Sequence, residues 1–396
     1  MPRYLRFVAL TVSALVALWQ SYRAHRTVRE THPPARAPLP KSAPHVSIIV
    51  PVRNEEATID ACVASLLRQD YPDFDVTLID DDSTDATPHL LAEWARRDHR
   101  VQTHRVDHLP DGWAGKAHAL HTGVTLTRGE WLLFTDADTC HAPRTLRLMV
   151  GHALGQEDDL LSTRMTLMTL SGLCMPLFMS ITEILLAHRM TPAEVRDPAS
   201  SCAFAFGQYM LLRREAYLAT GGYAAAGMRM NPIEDLALAI RFKQHRQRIE
   251  LVNGRGLITN RQWTTWKSFR QGWERGCYSE LIRSHIPLVS LPGGLAFMVY
   301  GLVPPIVLLQ ALYSRKVRCL STLLAGIALL AQIDAKRCFD REYDLSFPWS
   351  LAAPVSWVTC GMLLLDVARL MLTGRGTDWK GRRLILFPGV SLYCPP

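Results

Sequence analysis

Residues 129–139 read GEWLLFTDADT. An apolar run, Trp131 to Phe134, passes through Thr135 into two acids, Asp136 and Asp138, with one alanine between them. The run has the length and composition of a buried strand. The acids at its end need an explanation. One acid after a strand is ordinary turn chemistry, but two like charges this close repel unless a cation sits among them. On an extended segment their side chains would point to opposite faces, whereas at a strand-to-loop turn both can reach one ligand. Carboxylate oxygens are hard ligands, of the kind that hold Mg2+ or Mn2+ together with substrate phosphates. Spacing alone leaves turn and metal site both open.

The flanking sequence sets these acids in a pattern. VSIIVPV (46–52), DVTLID (75–80) and VQTHRV (101–106) predict three more strands. Helices are expected between them: one capped by Asn54 and running to about residue 69, with Glu55 and Glu56 in its first turn; one capped by Asp85 and running to Arg97; one from about Lys116; and one begun by Pro143. Strands alternating with helices predict an α/β fold with a mostly parallel, doubly wound sheet. Such sheets bind ligands beyond the carboxyl ends of their strands. PVRNEE (51–56), DDDSTD (80–85) and DADT (136–139) would then share one edge. Capping accounts for Asp85, but not for Asp80, Asp81 and Asp82 packed together.

The ends of the 396-residue chain have a different character. Residues 4–20 are an apolar run about long enough to span a bilayer, without a small-x-small cleavage site, and predict an uncleaved anchor. Three apolar segments follow the middle: 287–313, with Gly293-Gly294 and Pro304-Pro305; 317–333; and 347–372, the clearest candidate span. The two pairs predict a broken, re-entrant first segment, which keeps the basic stretches 314–318 and 374–383 on the inner side. Residues 165–190 read as an interfacial apolar segment, with a core helix as the plainer alternative. The expected division is a transmembrane anchor over 1–22, a basic linker over 23–45, a catalytic domain over 46–285, membrane segments over 286–373 and a basic tail over 374–396. The net charge of +8 suits a membrane face or an anionic substrate, and no nucleic-acid-binding signature accompanies it. The nine cysteines are scattered, odd in number and without a C-x-x-C, which indicates reduced thiols rather than a disulfide framework.

Five stretches in order, VSIIVPVRNEE (46–56), LIDDDSTDAT (78–87), GEWLLFTDADT (129–139), GQYMLLRREAYLATGGY (207–223) and EDLALAIR (234–241), resemble the family 2 glycosyltransferases. The likeness covers about residues 46–280. GWAGKAHALHTG (112–123), the apolar tail and WKGRR (379–383) resemble the membrane-bound members that glycosylate lipids, ceramide glucosyltransferase-like enzymes and the carotenoid- and hopanoid-associated bacterial ones. The resemblance implies a GT-A nucleotide-diphospho-sugar transferase fold with added transmembrane helices. It places Pro51, Arg53, Asn54 and Glu55 near the nucleotide and Asp81 on a uracil-type base. Asp82 stands where the family has glycine. Asp138 is implied as the direct ligand of Mg2+ or Mn2+, Asp136 as a neighbour of ribose and metal, and Asp235 as the catalytic base. WTTWKSFRQGWERG (263–276) occupies the place of the family's Gln-x-x-Arg-Trp, with Trp273 and Arg275 implied near the diphosphate and acceptor. It departs from that pattern, since Gln271 and Arg275 are four apart with Trp273 between them.

These residue types suit one chemistry. A leaving diphosphate gains charge, which a divalent ion and cationic side chains stabilise. Lys116, after Gly115 at a helix start, could add a point charge to phosphate or be an ordinary solvated lysine. His118 and His121 read as helix-face residues. The acceptor hydroxyl needs a base in reach, and one base without a covalent nucleophile suits inversion. Without the family, Asp235 could equally be a first-turn acid favoured by the helix dipole. The expected function is an inverting, metal-dependent transfer of a hexose from a nucleotide diphosphate sugar, UDP-linked by the uracil-type contact, to a lipid hydroxyl. The expected location is the inner membrane, multi-pass, with the catalytic domain cytoplasmic. Alternatives are transfer to polyprenyl phosphate, a polysaccharide synthase, and a sugar-nucleotide-binding membrane scaffold.

Overall fold

The computed structural model describes residues 3–164, 167–168, 175–231, 233–261, 265–283, 289–314, 319–373, 375, 377–379, 382–387 and 390–393. The chain forms two compact units, a helical one from residues 1–30, 170–191 and 265–377 and an α/β one from 31–169, 192–264 and 378–396. The elements begin with α1 (Arg3–Glu30), β1 (Val46–Val52), α2 (Ile59–Leu67), β2 (Phe74–Asp80), α3 (Thr87–Arg97), β3 (Val101–Arg105), α4 (Gly115–Leu126), β4 (Trp131–Phe134) and β5 (Thr139–His141). They continue with α5 (Thr145–Gln156), β6 (Leu160–Arg164), β7 (Leu167–Met168), α6 (Ser180–Arg189), α7 (Pro192–Arg196), β8 (Met210–Arg213), α8 (Arg214–Ala219), α9 (Glu234–Gln244), β9 (Ile249–Asn253) and β10 (Ile258–Asn260). Helices α10 (Trp266–Arg283), α11 (Ser290–Tyr313), α12 (Leu320–Glu342), α13 (Phe347–Ser350) and α14 (Ala353–Thr373) follow, then three short strands, β11 (Thr377–Trp379), β12 (Arg382–Phe387) and β13 (Val390–Tyr393).

The α/β unit is built on a seven-stranded sheet of order β3-β2-β1-β4-β8-β6-β9. Strands β3, β2, β1 and β4 are mutually parallel, as are β6 and β9, and β8 runs antiparallel between β4 and β6. The sheet is therefore mostly parallel, as the alternating pattern predicts. Six of the seven β1 residues are buried, which explains an unbroken apolar run rather than an alternating one. Helix α4 lies close on β1: a Cβ on Gly123 would stand 2.3 Å from Ile49 Cγ2. Asp80 pairs in register with Val52, and Phe134 with Ile49. The three polar clusters therefore follow the same ends of three neighbouring parallel strands. Because β8 is antiparallel, its entry, just after Gly207, comes to that edge too.

Two local expectations change. Asn54 does not cap a helix; it takes a left-handed φ of 51° in a turn, and α2 starts only at Ile59. Its Oδ1 instead accepts the Thr84 amide at 2.8 Å, tying the first cluster to the second. The basic linker expected over 23–45 is shorter, because α1 runs on to Glu30, and residues 31–45 are docked. Ala35 N–H donates to His152 Nδ1 at 2.8 Å, His32 O accepts from Asn253 at 2.7 Å, and Leu39 and Ala43 pack on the core. Apolar side chains spaced among the prolines and arginines give the segment something to bury.

In the helical unit α1, α11 and α14 are long and apolar enough to cross a membrane, at Tyr4–Glu30, Ser290–Tyr313 and Ala353–Thr373. Helix α11 is continuous where the Gly and Pro pairs predict a break. Pro304 has no N–H for the carbonyl of Tyr300, and the Gln332 side-chain amide of α12 supplies that donor at 3.0 Å. The glycines serve close packing: Cβ atoms on Gly294 and Gly301 would stand 2.9 Å and 2.6 Å from carbonyl oxygens of Gly361 and Pro354 on α14. Helix α6 falls in the segment expected to be interfacial, but Ile181, Ile184 and Ala187 are buried against other helices of this unit. Residues 165–166 and 169–174 of that segment lie outside the described residues.

Candidate active site

The site collects at the carboxyl edge of the sheet. Lys116, in the first turn of α4, places its Nζ 2.7 Å from Asp136 Oδ1 and 2.6 Å from Glu234 Oε1. The fourth-strand acid and the Glu-Asp pair of α9 are thus joined through one ammonium. Burial works against the charge on Lys116, but the carboxylates of Asp136, Glu234 and Asp235 outweigh it and raise its pKa. Pro51, Lys116, Phe134, Asp136, Gly207 and Glu234 are among the residues that line one small pocket here.

Asp235 is fixed through both carboxylate oxygens. Gly207 N–H donates to Oδ2 at 2.9 Å and Leu236 N–H to Oδ1 at 2.7 Å. Burial, with Glu234 beside it, pushes its pKa up to about 6 against the opposing pull of Lys116 and the two amides. That is the environment by which proteins place a carboxylate base near neutral pH.

Asp136 and Asp138 share a turn but face different partners. Asp138 is buried, with Asn260 Nδ2 at 3.3 Å and the Thr139 hydroxyl at 3.5 Å from its Oδ1. A divalent ion that takes one or two carboxylates and completes its shell with phosphate and water suits this donor set. No group of three or more His, Cys, Asp or Glu side chains poised for a metal occurs among the described residues.

The acidic cluster at the end of β2 has its cation. Arg105 reaches Asp80 Oδ2 at 3.2 Å, Asp82 Oδ1 at 3.1 Å and Asp107 Oδ1 at 3.2 Å. Asp82 adopts φ +58°, so it supplies the left-handed turn that a glycine would. Arg53 donates from Nη1 to the carbonyls of Asp81 and Asp82, and the Glu55 amide bonds Thr87 Oγ1 at 2.9 Å. Asp81 is buried, its own amide bonded to Val52 O at 2.8 Å. The expected capping by Asp85 is present, its Oδ1 accepting the Thr87 amide at 3.0 Å. His118 and His121 pack on Trp113, with ring centroids 5.3 Å and 5.1 Å away.

A sequence profile described as "Glycosyl transferase family 2" matches residues 47–219, the stretch that carries all of these clusters but Glu234 and Asp235. The α/β unit holds a family 2 glycosyltransferase domain. A 4,4'-diaponeurosporenoate glycosyltransferase of Staphylococcus aureus (strain USA300) is 28% identical over 236 residues, and the same enzyme of strain MRSA252 matches to the same extent. The alignment takes in 58% of this chain and 60% of each of those proteins, so the chain spans about three fifths of their length. Among solved structures, a mannosyltransferase from Pyrobaculum calidifontis, in complex with GDP-Man and Mn2+, superposes with a TM-score of 0.56 at 21% identity, over 93% of this chain and 98% of that one. At that identity the likeness shows the fold alone.

Sequence reasoning missed two members of the glycosyltransferase domain's site. Glu234 and Gly207 enter the sequence analysis only as the first residues of EDLALAIR and GQYMLLRREAYLATGGY. The signal for Gly207 was its place just before β8: a Cβ there would lie 3.0 Å from Lys116 Nζ and 3.3 Å from Asp235 Oδ2. Trp273 belongs to the helical unit, where it is buried in α10. The side chain of Arg275 lies outside the described residues, as does most of WKGRR.

Proposed function

We propose that the chain transfers a hexose from a nucleotide diphosphate sugar to the hydroxyl of a membrane lipid, with inversion at the anomeric carbon. The observation that carries this is the Lys116 bridge, which brings the acid of the Asp-Ala-Asp turn together with the Glu-Asp pair at the ligand edge. Asp235 takes the proton of the acceptor hydroxyl. The freed oxygen pair bonds to the anomeric carbon, and the bond from that carbon to the diphosphate breaks toward the leaving oxygen. The two amides on Asp235 hold it still for this role, and its raised pKa lets it accept a proton while ionised at neutral pH. Lys116 offers positive charge where the diphosphate leaves.

Asp138 and Asp136 would hold Mg2+ or Mn2+, which when bound stabilises charge on the leaving diphosphate. Pro51, Arg53, Asn54, Glu55 and Asp81 form the nucleoside end, and Asp81 supports a uracil-type base and a UDP-linked donor. Trp273 and Arg275 belong to the proposed acceptor and diphosphate contacts. A lipid acceptor is supported by the named substrate of the Staphylococcus relatives, itself a carboxylate, and by the three apolar helices, whereas the hydroxyl and the carotenoid, hopanoid or related class rest on the motif resemblance. The same helices support a membrane location, for which the reading is the inner membrane, multi-pass, with the catalytic domain over 46–285 in the cytoplasm.

The test is to incubate detergent-solubilised protein with Mg2+ or Mn2+, a panel of nucleotide sugars and a total lipid extract, and to identify the product by mass spectrometry. A glycolipid that depends on Asp235 and disappears with chelator or Asp138→Ala is expected. Product formed equally well in chelator removes the metal from the proposal, and no glycolipid with any donor removes the lipid acceptor.

A further inference from the structure

The helical unit contains a depth scale. Helix α12 runs antiparallel to α11, since Gln332 bonds the Tyr300 carbonyl and Ala325 packs with Val307. Helix α1 runs parallel to α12: Leu10 packs with Ala325, while Ser21 and His25 both reach Asp334, at 2.5 Å and 2.9 Å. At about 1.5 Å per residue, the three helices cover the same depth from end to end. Helix α14 does not. It is antiparallel to α11, but Gly301 meets Pro354 and Gly294 meets Gly361. The first turn of α14 is therefore level with the middle of α11, and its last turn lies beyond the start of α11. The offset between their centres is about 10 residues, or about 15 Å, half of a hydrocarbon core of about 30 Å.

We infer that α1, α11 and α12 cross the bilayer and that α14 does not, standing half-inserted beside α11, its first turn at the depth of the middle of α11 and its last turn beyond the membrane face at the C-terminal end of α1. Composition gives the opposite answer for two of these four helices, because α14 has the hydropathy of a span and α12 does not. At the depth of α14, α1 carries Arg23, His25 and Arg26, and α12 carries Asp334, Lys336 and Asp340. His25 and Asp334 are about half exposed there. On the other side of the unit, at the same depth, Leu291, Leu295, Val355 and Met362 are exposed. A layer with open charge on one side and open aliphatic surface on the other is the headgroup–acyl boundary, the level on which α14 is centred. The partner of the α11–α14 face is accordingly the acyl chains of that leaflet.

The polar half of α12 is compatible with insertion because its buried charges are closed inward. Lys336 Nζ bonds Asp340 Oδ1 at 2.8 Å and Pro176 O at 2.6 Å, and Asp340 also accepts from Ser180 at 2.5 Å and Ser350 at 2.7 Å. Lys336 and Asp340 are fully buried.

Three crossings put Cys319, at the start of α12, and Thr373, at the end of α14, on opposite sides of the membrane. Cys319 is the exposed one among the described cysteines. A membrane-impermeant maleimide is applied to sealed spheroplasts carrying the full chain, wild type or Thr373→Cys, and each adduct is quantified by peptide mapping. One of the two positions is expected to label at least tenfold faster than the other, and permeabilisation should abolish the difference. Equal labelling of both before permeabilisation, or protection of both, overturns the inference, since a fourth crossing by α14 places both on one side. A fluorescent protein fused after Pro396 gives a second reading, and its fluorescence should agree with the side assigned to Thr373.

Discussion

The ammonium of Lys116 stands 2.6 Å from Glu234 Oε1, so a residue at the start of α4 and one at the start of α9 share a charge at the ligand edge of the sheet. Asp136 completes the arrangement at 2.7 Å. Lys116→Met leaves two carboxylates facing each other at the place proposed for the donor diphosphate. Losing one preorganised charge of this kind costs about 100- to 1,000-fold in rate. That loss is expected in kcat/KM, with the fold intact by circular dichroism. A variant within tenfold of wild type would take Lys116 out of the mechanism.

Asp235 has a carboxyl pushed up to about 6 by burial and by Glu234. A base works when deprotonated, so kcat/KM should fall about tenfold per pH unit below 6 and level off above it. Asp235→Asn should lose transfer while keeping affinity for the sugar nucleotide, as read by calorimetry. The sign for stability is opposite to that for activity. A folded-state pKa above the ordinary 3.8 means that the folded chain holds this proton more tightly, so this group's contribution to stability declines as pH rises from about 4 to 6. At pH 7 the asparagine variant is therefore expected to melt no lower than wild type. Wild-type rates that stay flat from pH 5 to 8 would exclude Asp235 as the titrating base.

Gly207 is a test of space rather than charge. A methyl group there meets Lys116 Nζ at 3.0 Å and Asp235 Oδ2 at 3.3 Å, both tighter than comfortable contact. The flexible lysine end can move, but moving it opens the bridge. Gly207→Ala should lower kcat by about tenfold or more while costing no more than about 1–3 kcal/mol of stability, the range of overpacking effects. Unchanged turnover would mean that the bridge tolerates displacement.

The strands of the glycosyltransferase domain and their polar ends were legible because periodicity is local: the apolar runs at 46–52, 75–80 and 129–136 contain the observed strands within a residue or two. What joined the clusters was not legible. Lys116 is near neither Glu234 nor Asp136 in sequence, and only the parallel order β1-β4 with β8 inserted brings them to one point. Asp82 was recognised as a departure from glycine, but a sequence does not state a φ angle. Among the membrane helices, hydropathy reports length and composition. It cannot see that α14 is displaced along α11, because that offset is set by where Gly294, Gly301 and Gly361 allow backbones to touch.

Asp82 holds φ +58° without being a glycine. For an L-residue this conformation costs roughly 1–2 kcal/mol, less for Asp than for most. Its ion pair with Arg105 is exposed on both sides, and such pairs contribute about 0–1 kcal/mol. Asp82→Gly should therefore be neutral to slightly stabilising, within about 1 kcal/mol, and Asp82→Val should be clearly worse than either. Thermal melts of the three proteins in one detergent check the order. A glycine variant that melts well below wild type would show that the Arg105 contact outweighs the backbone conformation.

Gln332 and Pro304 provide a cycle in which one defect answers another. The Tyr300 carbonyl lacks a helical donor because residue 304 is proline, and the Gln332 amide fills the gap at 3.0 Å in a fully buried position. Gln332→Leu leaves that carbonyl unpaired, at a cost of about 1–3 kcal/mol for a buried polar group. The lower end is expected, because Gln332 Oε1 is itself buried without a hydrogen-bond partner among the described residues and leaves with the substitution. Pro304→Ala returns an N–H to the helix ladder, so the same Gln332→Leu change should cost less than half as much in that background. The difference, a coupling of about 0.5–1 kcal/mol, is of the size that contacting residues show and can be read from unfolding of the four proteins in mixed micelles. Additive losses would show that Gln332 stabilises α12 for a reason other than the missing donor at Pro304.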